Sequence, residues 1–378
     1  ENAYYRISIE QNGTLTIFDK KELREYKNVL LVEDSSDDGD GYDYSELKDD
    51  FVLTSADAQA VVTCTDQGWK QKAVIAFSLN VPQNIQSRKE KKRDGLLKIQ
   101  FTIELYDSSH TIGVHFAADN HAKDHRVRVL LPGGKAEYSV CDNQFGRICR
   151  PVYDTAMDVW ESEHWSERPD SIYPFLSYVT TDSTQGMAVI TDSVREYEII
   201  CGECSGSKKE YDTIALTMFR SVGVLGKEEL CRRPGRPSGI KMETPDSQLL
   251  GNLCFDFSIT AVKENLEKTA KEASTPLVTY NKMPHNAMKL NPSDQTLPYC
   301  FSLFTEEKQE IIVSTLKKAE RENGLILRFY NGGSEKKSWK LSGSFTSMEA
   351  VNLNEQRLDE QDNHGIIEVN QIETWLLK

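Results

Sequence analysis

The feature that most constrains this chain is alternation of apolar and polar residues in short runs. In "YYRISIEQNGTLTIFDK", Tyr5, Ile7 and Ile9 alternate with Arg6, Ser8 and Glu10, and Asn12-Gly13 then supplies a tight hairpin turn. Successive strand side chains point to opposite faces, so such runs put one face in a core and the other toward solvent or a second layer. Ile99, Phe101, Ile103 and Leu105 repeat the pattern in "LKIQFTIELYD". "TIGVHFAADN", "HRVRVLLP", "GMAVITD", "DTIALTMFRS" and "LCFDFSIT" continue it. Helical periodicity is scarce: "VKENLEKTAKEA" is its best instance and reads as a charged connector. Many short strands with Gly, Asn and Asp turns predict a mainly β chain built around a large β-sandwich.

A length of 378 residues allows two domains. A boundary falls near "EASTPLVTYNKMPHN", and the alternation restarts in "EIIVSTLKKAERENGLILRFYN" and "GIIEVNQIETWLLK". The expectation is a large β domain over 1–263 and a smaller β-sandwich over 274–378. The net charge of −14 argues against nucleic acid, which needs a basic face. No apolar run approaches the roughly 20 residues that span a bilayer, and no basic-then-apolar signal opens the chain. The first residues, "ENAYYRISIE", lack Met and are already strand-like, which suggests part of a longer protein. Eight cysteines without a secretion signal read as reduced thiols in the cytosol.

Several clusters could carry chemistry. His115, His121 and His125 with Asp119 and Asp124 offer zinc-type donors, but their placement on a strand and around a turn favours hydrogen-bonded structure over one ion. Cys201 and Cys204 form a lone CxxC, which favours ordinary strand or turn cysteines. Arg232, Arg233 and Arg236 in "CRRPGRPSG" could hold an anion or neutralise the protein's own acidic loops. The charge run "QSRKEKKRDG" reads as a solvated hairpin tip. Trp160, Trp165, Tyr173 and Phe175 could stack on sugars but more often close a core.

The acid-rich stretch "EDSSDDGDGYDYS" tests poorly as a calcium loop. Counting from Asp34 puts Ser45 at the twelfth position, where a bidentate carboxylate is needed. What remains is a glycine-shaped loop exposing Tyr42, Asp43 and Tyr44, its acids keeping the rim hydrated.

"YYRISIEQNGTLTIFDK", "EDSSDDGDGYDYS", "NHAKDHRVRVLLP", "HWSERPDSIYPFLSYV", "IALTMFRSVGVLGKEELCRRPGRPSG" and "ETPDSQLLG" together resemble the C-terminal region of bacterial family 38 glycoside hydrolases. These are α-mannosidases, including the mannosylglycerate-hydrolase type, and the similarity runs in order from Tyr4 to about Asp256, then more faintly to the end. The resemblance implies a galactose-mutarotase-like supersandwich followed by a smaller β-sandwich. It also implies an N-terminal barrel outside these residues that carries the nucleophile and zinc ligands of a retaining mechanism. No catalytic or metal-ligating residue is therefore expected in this chain.

The resemblance further implies that the β region lends a tyrosine and an arginine to the rim of the mannoside pocket. By motif position these match Tyr42, with Tyr44 as the fallback and Asp43 between them, and Arg220 in "LTMFRSVG". The expected partners are the α-mannoside, the protein's own barrel and a second copy in a homo-oligomer, with neither nucleic acid nor membrane. The expected location is the cytoplasm. Two other classes fit the residues: a free-standing carbohydrate-binding β-sandwich, and a mutarotase-like epimerase using the His115–Asp124 region.

Overall fold

The computed structural model describes residues 1–202, 209–279, 298–308, 310–358 and 365–378. The chain divides into two compact units, Glu1–Cys141 with Ile148–Leu266, and Asp142–Arg147 with Glu267–Lys378.

The larger unit is made almost wholly of antiparallel strands in sheets of nine, six and three. The alternation read from the sequence builds them directly. Strand Tyr5–Ile9 pairs with Leu15–Asp19 across the Asn12-Gly13 turn, where Gly13 has φ +85°, the left-handed region that glycine adopts freely. Strands Lys70–Val81, Gly95–Tyr106, Ile112–Asn120 and Gly251–Thr260 lie side by side in the nine-stranded sheet. Their inward residues, among them Ile75, Phe101, Phe116 and Phe257, join Val127, Val129 and Leu216 of the six-stranded sheet in one apolar core. The larger unit is thus a sandwich, and the mainly β expectation holds.

The six-stranded sheet runs in the order Ile172–Pro174, Glu196–Ile200, Thr213–Ser221, His125–Pro132, Leu31–Ser36, Leu53–Thr54. Its inner face is apolar along Val127, Val129 and Leu131, with Asp34 and His125 also buried there, and its outer face is charged.

The smaller unit contains a four-stranded sheet of Ile312–Lys318, Leu325–Tyr330, Ile372–Leu377 and Met348–Ala350, in that order. Asn323-Gly324 turns its first hairpin. The core is aromatic: Phe329, Trp339 and Trp375 meet edge-to-face at 5.0 and 5.4 Å between ring centres. The connector read from "VKENLEKTAKEA" is a helix over Leu266–Ala273.

The charge run departs from expectation. "QSRKEKKRDG" begins within the short helix Ile85–Lys89, capped by the Asn84 side chain, and Arg88 is fully buried rather than solvated. Its guanidinium pairs with the buried Asp34 and donates to the Phe51 carbonyl at 2.7 Å. A partner distant in sequence overrode the local pattern.

Candidate functional site

The acid-rich stretch begins as strand. Leu31–Ser36 pairs with His125–Pro132, so Glu33 opposes Arg128, Asp34 opposes Val127 and Ser35 opposes Arg126. Paired residues in antiparallel strands face the same side. The outer face therefore carries Glu33, Arg126, Arg128, Arg220 and Glu198. Arg128 donates Nε and Nη2 to Glu33 at 2.8 and 2.6 Å, and Nη1 to Glu198 at 2.6 Å. On the other face Asp34 meets Arg88 and lies 2.5 Å from Nδ1 of the buried His125.

The chain then turns into a loop whose acids point inward. Asp37 and Asp40 are buried, a correction to the hydrated rim expected of them. Arg220 clamps this loop: Nε and Nη2 donate to the two Asp37 oxygens at 2.6 and 3.1 Å, and Nη2 also reaches the carbonyls of Asp40 and Asp43. Burial pushes the Asp37 carboxyl above its ordinary value, and the charge and hydrogen bonds of Arg220 offset part of that rise. The Asp40 carboxylate accepts from the backbone N–H of Tyr42, Asp43 and Lys227 and from Arg233 Nη2, at 2.8 to 3.0 Å. Burial pushes this carboxyl up too, but its donors outweigh burial and hold it below the ordinary value.

Glycine is required in the turn itself. A Cβ on Gly39 would stand 2.1 Å from the Asp43 carbonyl oxygen, so no other residue fits.

The candidate residues are divided by this geometry. Tyr42 is 54% exposed at the tip, its ring over Gly239. Asp43 is half-buried and accepts from Arg233 Nε and Ser238 Oγ, both at 3.2 Å. Tyr44 does not share the expected exposure: it is buried, with the Arg126 guanidinium 3.5 Å from its ring centre. Tyr42 and Tyr44, two residues apart, thus differ in that one side chain is exposed and the other buried. Arg220 sits beneath the loop, with Nε and Nη2 donating to the loop itself.

The other candidates disperse. His115 pairs with Asp256, His121 with Asp119 and His125 with Asp34, so the three histidines share no pocket. Among the described residues no group of three or more His, Cys, Asp or Glu side chains could hold a metal ion. Arg232 and Arg233 neutralise the protein's own acids, Asp170 for the first and Asp40 and Asp43 for the second, while Arg236 reaches Ser166 at 3.3 Å. Phe175 is core and Trp165 is exposed. Cys64, Cys149, Cys231, Cys254 and Cys300 are free thiols, and Cys204 of the CxxC pair lies outside the described residues.

Sequence reading passed over Arg126 and Arg128, seen only as polar positions in "HRVRVLLP". The available signal was two arginines at alternate positions of one strand, which puts both guanidinium groups on the same face.

A mainly β chain with a clamped, tyrosine-bearing loop defines a class that comparison with known proteins makes specific. Residues 1–224 match the profile of the glycosyl hydrolases family 38 C-terminal domain, and residues 310–374 that of the family 38 C-terminal beta sandwich domain. The chain belongs to glycosyl hydrolase family 38. It is 24% identical over 353 residues to a Halalkalibacterium halodurans protein provisionally named mannosylglycerate hydrolase, covering 88% of this chain and 36% of that one. A family 38 protein from Enterococcus faecalis superposes with a TM-score of 0.80 at 20% identity, covering 100% of this chain and 43% of that one. An alpha-mannosidase from E. faecalis V583 superposes with a TM-score of 0.81 at 22% identity, covering 100% and 42%. The chain thus spans less than half the length of each of these relatives. Among the described residues no helix is long and apolar enough to cross a membrane.

Proposed function

We propose that this chain is the C-terminal β region of a cytoplasmic, retaining, zinc-dependent α-mannosidase, and that the full-length protein hydrolyses α-mannosidic bonds. The family match over residues 1–224 carries the reading. Nucleophile and zinc ligands belong to a barrel outside these residues. The described side chains offer no zinc site, so no step is assigned to a metal here.

In this reading the larger unit buttresses the barrel and the 37–46 loop completes the rim of the mannoside pocket. Tyr42, exposed at the tip, donates its phenol to a sugar hydroxyl, and Asp43 beside it accepts from another. Arg220 and Tyr44 serve the same rim from beneath, setting the loop's position through Asp37 and through Arg126. A rim held by buried charge pairs presents Tyr42 with little ordering left to do when substrate arrives.

In the full-length enzyme Tyr42→Phe should lower kcat/KM for a chromogenic α-mannoside by about three- to tenfold, the loss of one neutral hydrogen bond. An unchanged kcat/KM would reduce the loop to scaffolding. The isolated 378-residue chain should release no chromophore; release would place the catalytic machinery here and overturn the reading.

A further inference from the structure

The nine-stranded sheet ends on strand Val61–Asp66, which pairs along its whole length with Lys70–Val81 and with no other strand among the described residues. In an antiparallel pair the backbone groups of alternate residues turn away from the neighbour. About three N–H and three C=O groups therefore line the free side of this strand. All six of its residues are exposed, Val61 by 72%.

Sheets guard such an edge by keeping it short or by placing proline or basic residues on it. The other ends here are guarded in these ways. The six-stranded sheet ends on Leu53–Thr54, two residues long, and on Ile172–Pro174, which closes on proline. The far end of the nine-stranded sheet, Gly146–Pro151, carries Arg147, Arg150 and Pro151. Val61–Asp66 has none of these devices. It reads VVTCTD, with β-branched Val61, Val62, Thr63 and Thr65, no proline, no basic residue and one acid at its last position.

This edge fits a second copy of itself. A two-fold axis normal to the sheet at Thr63 sets Thr63 against the partner's Thr63. The same axis sets Val61 against the partner's Thr65 and Val62 against the partner's Cys64. Cross-strand pairs of this kind stabilise a sheet, and the two Asp66 carboxylates fall at opposite ends, outside the paired stretch. Val62 and Cys64 pair with Ile75 and Ala73 and so face the core side. There Cys64 borders a cavity of 480 Å³ lined also by Ile7, Ile9, Leu15, Ile103 and Leu105. The partner's Val62, set opposite Cys64, adds apolar cover at its margin.

We propose that Val61–Asp66 is a docking edge for a second copy of this chain, joining two nine-stranded sheets antiparallel across a two-fold axis at Thr63. Main-chain hydrogen bonds supply the attraction, and the side-chain pairs fix the register.

Sedimentation of the full-length protein at about 10 μM tests this, with the wild type expected as a dimer. Thr63→Lys, at an exposed position, sets two ammonium groups against each other and should raise the dimer dissociation constant about tenfold or more. Thr63→Glu should do the same, and mixing the two variants should restore the pair. Thr63→Cys should give a covalent dimer on mild oxidation well beyond the wild-type level, because directly opposed cysteines lie within disulfide reach. A monomeric wild type, the result if another segment of the longer protein covers this edge, overturns the inference. So does a mass that Thr63→Lys leaves unchanged. The readout is mass rather than hydrolysis, so this result stands apart from the test of the α-mannosidase reading.

Discussion

The two units hold themselves together by different means. The larger one commits buried charge to its loop region, through Arg88–Asp34, Arg128–Glu33, Arg220–Asp37 and Arg233–Asp40. The smaller one is centred on the rings of Phe329, Trp339 and Trp375, and pairs such as Lys340–Glu307 and Arg357–Glu322 stay near the surface. Apolar packing is non-directional and tolerates small adjustments. A two-point guanidinium–carboxylate contact fixes direction as well as distance. The larger unit therefore places directional charge pairs around one loop, whereas the smaller unit is centred on apolar packing.

This contrast can be broken in order of expected effect. Arg88→Met leaves Asp34 buried with only His125, and should destabilise the larger unit by about 3–5 kcal/mol in denaturant unfolding. Adding Asp34→Asn should recover part of that loss, because the stranded charge is gone; no recovery would show that Arg88 acts through packing alone. Phe329→Ala should destabilise the smaller unit by about 3–5 kcal/mol through cavity formation, with little dependence on pH or salt. A strong pH dependence there would erase the proposed difference between the units.

Asp40→Asn should lower stability by about 1.5–3 kcal/mol, since an amide cannot serve the four donors that a carboxylate does. The sign of its pH dependence follows from the depressed folded value. The Asp40 contribution is present above the ordinary carboxylate value of about 4 and is lost as pH falls through the lower folded value. The gap between wild type and Asp40→Asn should therefore close in acid, below about pH 4. A gap that persists there would place the effect elsewhere.

Lys263 tests buried charge without a close carboxylate. Burial pushes its ammonium down to about 8 from 10.5, while its Nζ donates to the carbonyls of Thr181 and Ser183. The unfolded chain keeps this proton longer, so stability should rise between pH 8 and 10.5, on the order of 1–2 kcal/mol. Lys263→Met should abolish that rise; an identical pH profile would count against it. The smallest effect belongs to Lys340→Ala, which breaks an exposed pair and should change stability by less than about 1 kcal/mol.

Much of the fold was legible beforehand because its signals are local. Alternation marked the Tyr5–Ile9, Gly95–Tyr106 and Thr213–Ser221 strands, and Asn-Gly marked two hairpin turns. The acid-rich loop was legible as a shaped loop but not as a buried one. Its partner Arg220 lies 183 residues from Asp37, and nothing near either residue announces the pair.

By itself, then, the sequence determined the strands, their turns and the family, since period and motif order are properties of neighbours along the chain. Only the tertiary structure decided that Tyr42 faces out while Tyr44 lies on Arg126, that Arg88 is buried, and that the loop's acids are spent inside the fold. Those outcomes depend on which strands pair and in what register. A charged residue is solvated or buried according to whether a distant partner of opposite charge arrives beside it.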